Sequence, residues 1–290
     1  MLYKSAQAWR DAPQKHVLLF AMSGLGKTHV SEMLTEREDA NWFHYSVDYR
    51  IGTRHMGEHI IDNLKREAMK TPFLREMLMH DLIHFGVNVH DHDLRPVAAY
   101  LGKPGDPELG GLPIAEYQRR QDHFKDAEIA ALRDTARFIE RARDIYGYEH
   151  FICDTGGSIC EWVDPEDPND PLLSALAQDC LMVWIKGSDA HTQSLIERFD
   201  KEPKPMSYQP AFLARVWAEY LSNNNVQGCD VNPDEFIRWT YAQALAHRQP
   251  RYEAMARNFG ITVQASDMAD VSNEAAFIDV IADALAARDT

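Results

Sequence analysis

The stretch LLFAMSGLGKTHVSEML, residues 18–34, places two glycines, a lysine and a threonine directly after an apolar run. Gly24 and Gly26 allow a backbone tight enough for the N–H groups of Ser23, Gly24, Leu25, Gly26, Lys27 and Thr28 to point at one anionic group. Lys27 adds a full positive charge suited to terminal phosphates, and the Thr28 hydroxyl suits a Mg²⁺ ion. Residues 16–21 read as a buried parallel strand, and Val30, Met33 and Leu34 form one face of a following helix, whose N-terminus adds partial positive charge. The pattern is A-x-x-x-x-G-K-T, with Ala21 where glycine is usual and where the residue only ends the strand. The chemistry expected of such a loop is binding of ATP or GTP with Mg²⁺, and Lys27 is expected to stand exposed when no nucleotide is bound.

Two carboxylates extend this reading. In GYEHFICDTGGSICE, residues 151–153 form a short apolar strand ending in Asp154, the place from which an acidic residue organises Mg²⁺ at the carboxyl edge of a sheet. Gly156 and Gly157 then let a turn approach a ligand closely. In WFHYSVDYRIGTR a second strand is expected to deliver Asp48 to the same edge, 21 residues after Lys27. A carboxylate there could take a proton from an acceptor hydroxyl or meet Mg²⁺ through water, while Arg50 and Arg54 suit an anionic acceptor.

The elements that must carry these residues are unevenly spaced. Asp48 and Asp154 stand 106 positions apart, far more than one βαβ crossover needs, so a segment is expected to be inserted over residues 52–146. GEHIIDNLKREAMK and PFLREMLMHDLIHF have amphipathic helical spacing, LRPVAAYLGKPGDPELGGLP reads as a Pro/Gly-rich connector, and residues 114–147 read as one long charged helix. A helical cap over an acceptor pocket is expected, with Arg54, Lys65, Arg66, Arg119 and Arg120 as cations that could either line it or be solvated.

Composition bounds the rest. With 290 residues, 45% hydrophobic and 26% charged, the chain can bury a substantial core. Its formal net charge of −15 disfavours generic adhesion to a phosphate backbone, so nucleic acid is a secondary partner expectation. No stretch reaches the roughly 18 apolar residues of a membrane helix, and MLYKSAQAWRDAPQKH lacks a signal-peptide core, so a cytosolic protein without a membrane partner is expected. Cys153, Cys160, Cys180 and Cys229 form no C-x-x-C pair and read as reduced thiols. His80 and His84 are spaced as one helical turn and His90 and His92 follow, but Asp81 stands where a metalloprotease helix has Glu, so no metal beyond Mg²⁺ is expected. DPEDPNDP, residues 164–171, reads as a stiff surface loop.

Taken together, A-x-x-x-x-G-K-T, the D-T-G-G turn, CLMVWIKGSDAHTQSLIERFDKEPKPM and RQPRYEAMARNFGITVQASDMADVSNEAAFIDVIADAL resemble shikimate-kinase-like and nucleotide-kinase-like P-loop kinases. The resemblance covers residues 15–50 and 148–287, and bacterial proteins described only as ATPases share this look. It implies a strand over 181–186, a helix over 190–199, a mobile lid over 200–205 and an R-x-P-x-Y segment at 248–252 before a last strand at 261–265. It further implies that Arg198, Lys201 or Lys204 closes over the phosphates and that Arg248 faces the nucleotide. Ser46 stands where shikimate kinases have the first of two aspartates, Ser158 replaces a third glycine, and the lid offers lysines instead of paired arginines. The fold expected is a single three-layer α/β/α P-loop NTPase domain, kinase-like, with a five-stranded parallel sheet and a large helical insertion. The expected function is transfer of the γ-phosphoryl group of Mg-ATP to a hydroxyl or phosphate of an unidentified small molecule. A kinase acting on a modified base or end of nucleic acid, and an ATPase switch binding a protein, are the alternatives.

Overall fold

The computed structural model describes residues 2–36, 40–90 and 94–288. Five strands, β1 (His16–Phe20), β2 (Trp42–Ser46), β3 (His150–Asp154), β4 (Leu181–Lys186) and β5 (Gly260–Gln264), form one all-parallel sheet in the order β2-β3-β1-β4-β5. The helices before β3 are α1 (Ala6–Asp11), α2 (Lys27–Thr35), α3 (Val47–Arg50), α4 (Gly57–Ala68), α5 (Pro72–Met79), α6 (Arg95–Leu101), α7 (Ile114–Arg133) and α8 (Thr135–Tyr146). After it come α9 (Pro171–Asp179), α10 (Asp189–Lys201), α11 (Pro210–Asn224), α12 (Pro233–Phe259), α13 (Ala265–Ala269) and α14 (Glu274–Arg288). Helices cover both faces of the sheet, which is why β1 and β4 are apolar almost throughout instead of alternating. This is the α/β P-loop kinase-like fold.

The chain divides into two compact units. The first joins Met1–Val47, Leu132–Glu202 and Tyr241–Thr290 and contains the whole sheet. Its core is aromatic as well as aliphatic: Trp9, Trp42, Phe20, Phe151 and Phe277 are fully buried, and Trp42 meets Phe277 edge-on at 5.7 Å. One junction depends on a missing side chain. α12 runs into β5 without a loop, and a Cβ at Gly260 would lie 2.1 Å from the Met182 carbonyl oxygen on β4.

The second unit joins Asp48–Ala131 to Pro203–Thr240. Buried polar contacts tie its two segments: Met206 carbonyl accepts from Tyr117 Oη at 2.7 Å and Gln121 Nε2 at 3.0 Å, and Gln121 Oε1 accepts from Tyr208 N at 2.9 Å. Gly105 is obligatory there, with φ 144° and the Val231 carbonyl 2.3 Å from where a Cβ would be.

Four local expectations change. β2 stops at Ser46, so Asp48 stands in the helical turn α3 instead of on a strand. α5 ends at Met79 because Asp81 adopts φ 57°, so His80 and His84 do not share a helical turn. The connector begins with a helix, α6, in which Pro96 occupies the first turn, where a missing N–H costs nothing. The charged stretch 114–147 is two helices interrupted at Asp134, with no Pro or Gly to announce the break.

Candidate functional site

The first unit assembles the phosphate-type loop at the carboxyl edge of the sheet. Residues 21–26 leave β1 and turn through Gly24 (φ 81°) and Gly26 (φ 88°), left-handed conformations that favour glycine, into α2. Lys27 is 9% exposed, with Nζ donating to the carbonyls of Ala21 at 3.0 Å and Met22 at 3.1 Å. This corrects the expectation of an exposed lysine: the strand-end carbonyls need donors, and the ammonium satisfies two while remaining beside the loop.

Thr28 and Asp154 meet directly, Thr28 Oγ1 donating to Asp154 Oδ2 at 3.3 Å. The sheet register explains this, because Asp154 is aligned with Leu19 on β1 and with Ser46 on β2. The next residue fastens the turn, since Thr155 N and Oγ1 both donate to the Leu19 carbonyl at 3.1 Å. Gly156 is buried in that turn. A Cβ at Gly157 would make only ordinary contacts, 3.5 Å from the Ala21 carbonyl, 3.5 Å from Tyr252 Oη and 3.7 Å from Arg248 Nη1.

Arg198 projects from α10 onto the loop, its Nη2 2.7 Å from where a Gly24 Cβ would stand. Two features hold α10 in place: a capping box between Ser188 and His191, and the stack of Phe199 on Tyr241 at 3.7 Å. Lys201 is exposed at the end of the same helix, and Lys204 is exposed in the second unit.

Arg248 pairs with a buried carboxylate. Buried to 6% exposure, it donates from Nε to Glu161 Oε1 at 2.6 Å, while His247 Nε2 lies 3.3 Å from Glu161 Oε2. Burial would raise the Glu161 pKa, but the Arg248 charge and His247 outweigh it and hold this carboxyl below its ordinary value. Neither Glu161 nor His44, whose Nε2 lies 3.3 Å from Asp154 Oδ1, was singled out by motif. The available signal was a Glu inside the apolar run ICEWV, since buried carboxylates are rarely left unpaired.

Asp48, Arg50 and Arg54 belong to the second unit, the first two on α3 and Arg54 in the π-helical turn Ile51–His55. Asp48 and Arg50 are half-buried and Arg54 is exposed. Of the other cations in that unit, Arg119 and Arg120 both pair with Glu116, at 2.8 and 2.7 Å, and Lys65 lies 3.6 Å from Asp62. Glu116 is thereby held down to about 2, the hydrogen bond from Arg119 being the largest cause.

Among the described residues no group of three or more His, Cys, Asp or Glu side chains could hold a metal ion, and His92 lies outside those residues. Cys153, Cys160 and Cys180 are buried thiols and Cys229 is exposed. Asp170 caps α9 through the Leu172 and Leu173 N–H groups, which orders the 164–171 loop. No described helix is long and apolar enough to cross a membrane.

No family model matches the chain, and no curated protein matches its sequence. Among solved structures it is similar to shikimate kinase from Bacteroides thetaiotaomicron, at 14% identity and a TM-score of 0.38, over 91% of this chain and 94% of that one. A likeness of that size decides nothing about activity. The fold assignment rests on the strand order and the loop described above.

Proposed function

We propose that the protein is an ATP-dependent phosphotransferase that moves the γ-phosphoryl group of Mg-ATP to a hydroxyl or phosphate of a small molecule. The observation that carries this reading is the convergence at one sheet edge of the glycine loop, Lys27, the Thr28–Asp154 pair and Arg198. A hydroxyl and a carboxylate side by side are the hard oxygen donors that Mg²⁺ accepts, so the residues fit that ion. When bound, Mg²⁺ would supply neutralisation of phosphate charge.

Each residue then has a distinct task. The loop N–H groups and Lys27 bind the phosphates, for which Lys27 must exchange its two carbonyl partners for phosphate oxygens. Arg198, resting on the loop at Gly24, adds a planar cation that can stabilise charge growing during transfer. Asp48 orients the acceptor hydroxyl or takes its proton, with Arg50 and Arg54 available to an anionic acceptor. Lys201 and Lys204 are the cations of the 200–205 lid, and residues 52–146 provide the cap. The compartment proposed is the cytosol.

A second reading has one observation in its favour. Phe73, Met79 and Leu82 on the second unit are 66%, 69% and 64% exposed, large apolar side chains on a surface that a protein partner could cover. A nucleotide-dependent switch would use such a face.

The deciding experiment screens a metabolite mixture for ATP-dependent mass gain of one phosphoryl group, with Asp48→Asn and Asp154→Asn beside the parent. Asp48→Asn is expected to keep Mg-ATP binding and lose transfer by about 10²–10⁴-fold. Asp154→Asn is expected to weaken the Mg²⁺ dependence of transfer and background hydrolysis alike. Equal loss of nucleotide binding in both variants would remove Asp48 from the acceptor role. Full ATP turnover in Asp48→Asn with no acceptor found would establish the switch.

A further inference from the structure

The carboxylate assigned above to the metal has a neighbour that the loop motif does not specify. Asp154 is 7% exposed, and its two oxygens are in different company: Oδ2 accepts from Thr28 Oγ1 at 3.3 Å, and Oδ1 lies 3.3 Å from His44 Nε2. The sheet register puts the two side chains on one face. Ser46 is aligned with Asp154 and His44 with Ile152, and residues two apart on a strand share a face. The imidazole therefore reaches diagonally from β2 over β3. Its side chain is 16% exposed, so little water stands between ring and carboxylate.

We propose that His44 is a positioning residue for Asp154. By facing Oδ1 it fixes the rotation of the carboxyl group about its Cβ–Cγ bond, so that Oδ2 stays turned toward Thr28 and toward any cation the pair holds. The 3.3 Å approach is a close charge–dipole contact and not yet an aligned hydrogen bond, and a small rotation of a ring carrying its proton on Nε2 would complete one, since only an N–H can donate to the carboxylate. Carboxylates that bind metals are commonly oriented by such outer partners, and loss of one typically weakens metal affinity about 10–100-fold. The proposal rests on the reading of the loop as a Mg-nucleotide site.

The test uses the whole chain, ADP, and Mn²⁺ as a paramagnetic stand-in for Mg²⁺. His44→Gln returns an amide N–H near the Nε2 position, whereas His44→Leu fills the space without a donor. Free and bound Mn²⁺ are counted by electron paramagnetic resonance in the presence of ADP, and ADP binding without metal is measured by calorimetry in chelator. His44→Leu is expected to weaken Mn²⁺ binding about 10–100-fold, His44→Gln to stay within a few-fold of the parent, and metal-free ADP affinity to be the same in all three. A His44→Leu variant that binds Mn²⁺ as the parent does would overturn the proposal. So would a His44→Gln variant as poor as His44→Leu, or a loss of metal-free ADP affinity matching the loss of metal, because either marks a packing role. A parent chain that binds neither ADP nor its Mn²⁺ complex would overturn the loop reading itself, a result distinct from normal ADP·Mn²⁺ binding with an indifferent His44.

Discussion

At the scale of single residues, the two loop glycines share a left-handed backbone but not a neighbourhood. Either Gly→Ala change strains the backbone by about 1–2 kcal/mol. A Cβ at Gly26 meets nothing within 4 Å, whereas one at Gly24 collides with Arg198 Nη2 at 2.7 Å. A guanidinium at the end of a long side chain can step aside cheaply, so stability separates the two variants poorly and ligand affinity separates them well. Gly24→Ala is therefore expected to couple to Arg198→Ala in a double-mutant cycle of Mg-ATP affinity, by about 0.5–3 kcal/mol, and Gly26→Ala is expected to add independently of it. Additivity in both cycles would show that Arg198 does not rest on the loop. Arg248, which the resemblance turns toward the nucleotide, has a partner within the protein. Glu161, fully buried, takes its charge.

At the scale of elements, the α12–β5 junction depends on one hydrogen in place of a side chain. Gly260 is aligned with Met182, and the backbone oxygen that a Cβ would strike, 2.1 Å away, cannot rotate aside as a side chain could. Gly260→Ala must push β5 from β4 or bend the end of α12, at a cost of about 1–3 kcal/mol or more. A fall in melting temperature of several degrees is expected in calorimetry. Gly86→Ala is the control, since a Cβ there meets nothing within 4 Å and is expected to leave the melting temperature almost unchanged. Equal melting of Gly260→Ala and the parent would mean that the edge strand is not seated as described.

At the scale of the molecule, the net charge of −15 makes carboxylates the main determinants of acid stability. Each unit contains one whose pKa is depressed by buried or half-buried cations: Glu161 beside Arg248 in the first, and Glu116, at about 2, beside Arg119 and Arg120 in the second. A depressed folded-state pKa stabilises at pH above the unfolded value, and that contribution is lost as pH falls through the folded value. For Glu116 the window runs from the ordinary 4.5 down to about 2. Urea denaturation followed through the fluorescence of Trp217 and Trp239, both in the second unit, is expected to lose midpoint steadily over that window. Glu116→Gln is expected to start lower at pH 7 and to fall less steeply. An unchanged slope in that variant would show that Glu116 is not held by its two arginines.

The sequence by itself determined the loop, the strand before it and the strand ending in Asp154, because each is local: apolar runs of strand length, glycines where the backbone must turn left-handed, and a lysine and threonine at fixed offsets. It also determined that the sheet is parallel and covered, since β1 and β4 are apolar on both faces. Only the tertiary structure decided which side chains meet those residues. His44 reaches Asp154 through strand register, Arg198 reaches Gly24 through the packing of α10 against α12, and Arg248 finds Glu161 across 87 positions of chain. Contacts of that kind are set by how elements stack, which no local spacing records. The interruption at Asp134 and the end of β2 at Ser46 belong with them, because neither carries the Pro or Gly that would mark a boundary in the sequence alone.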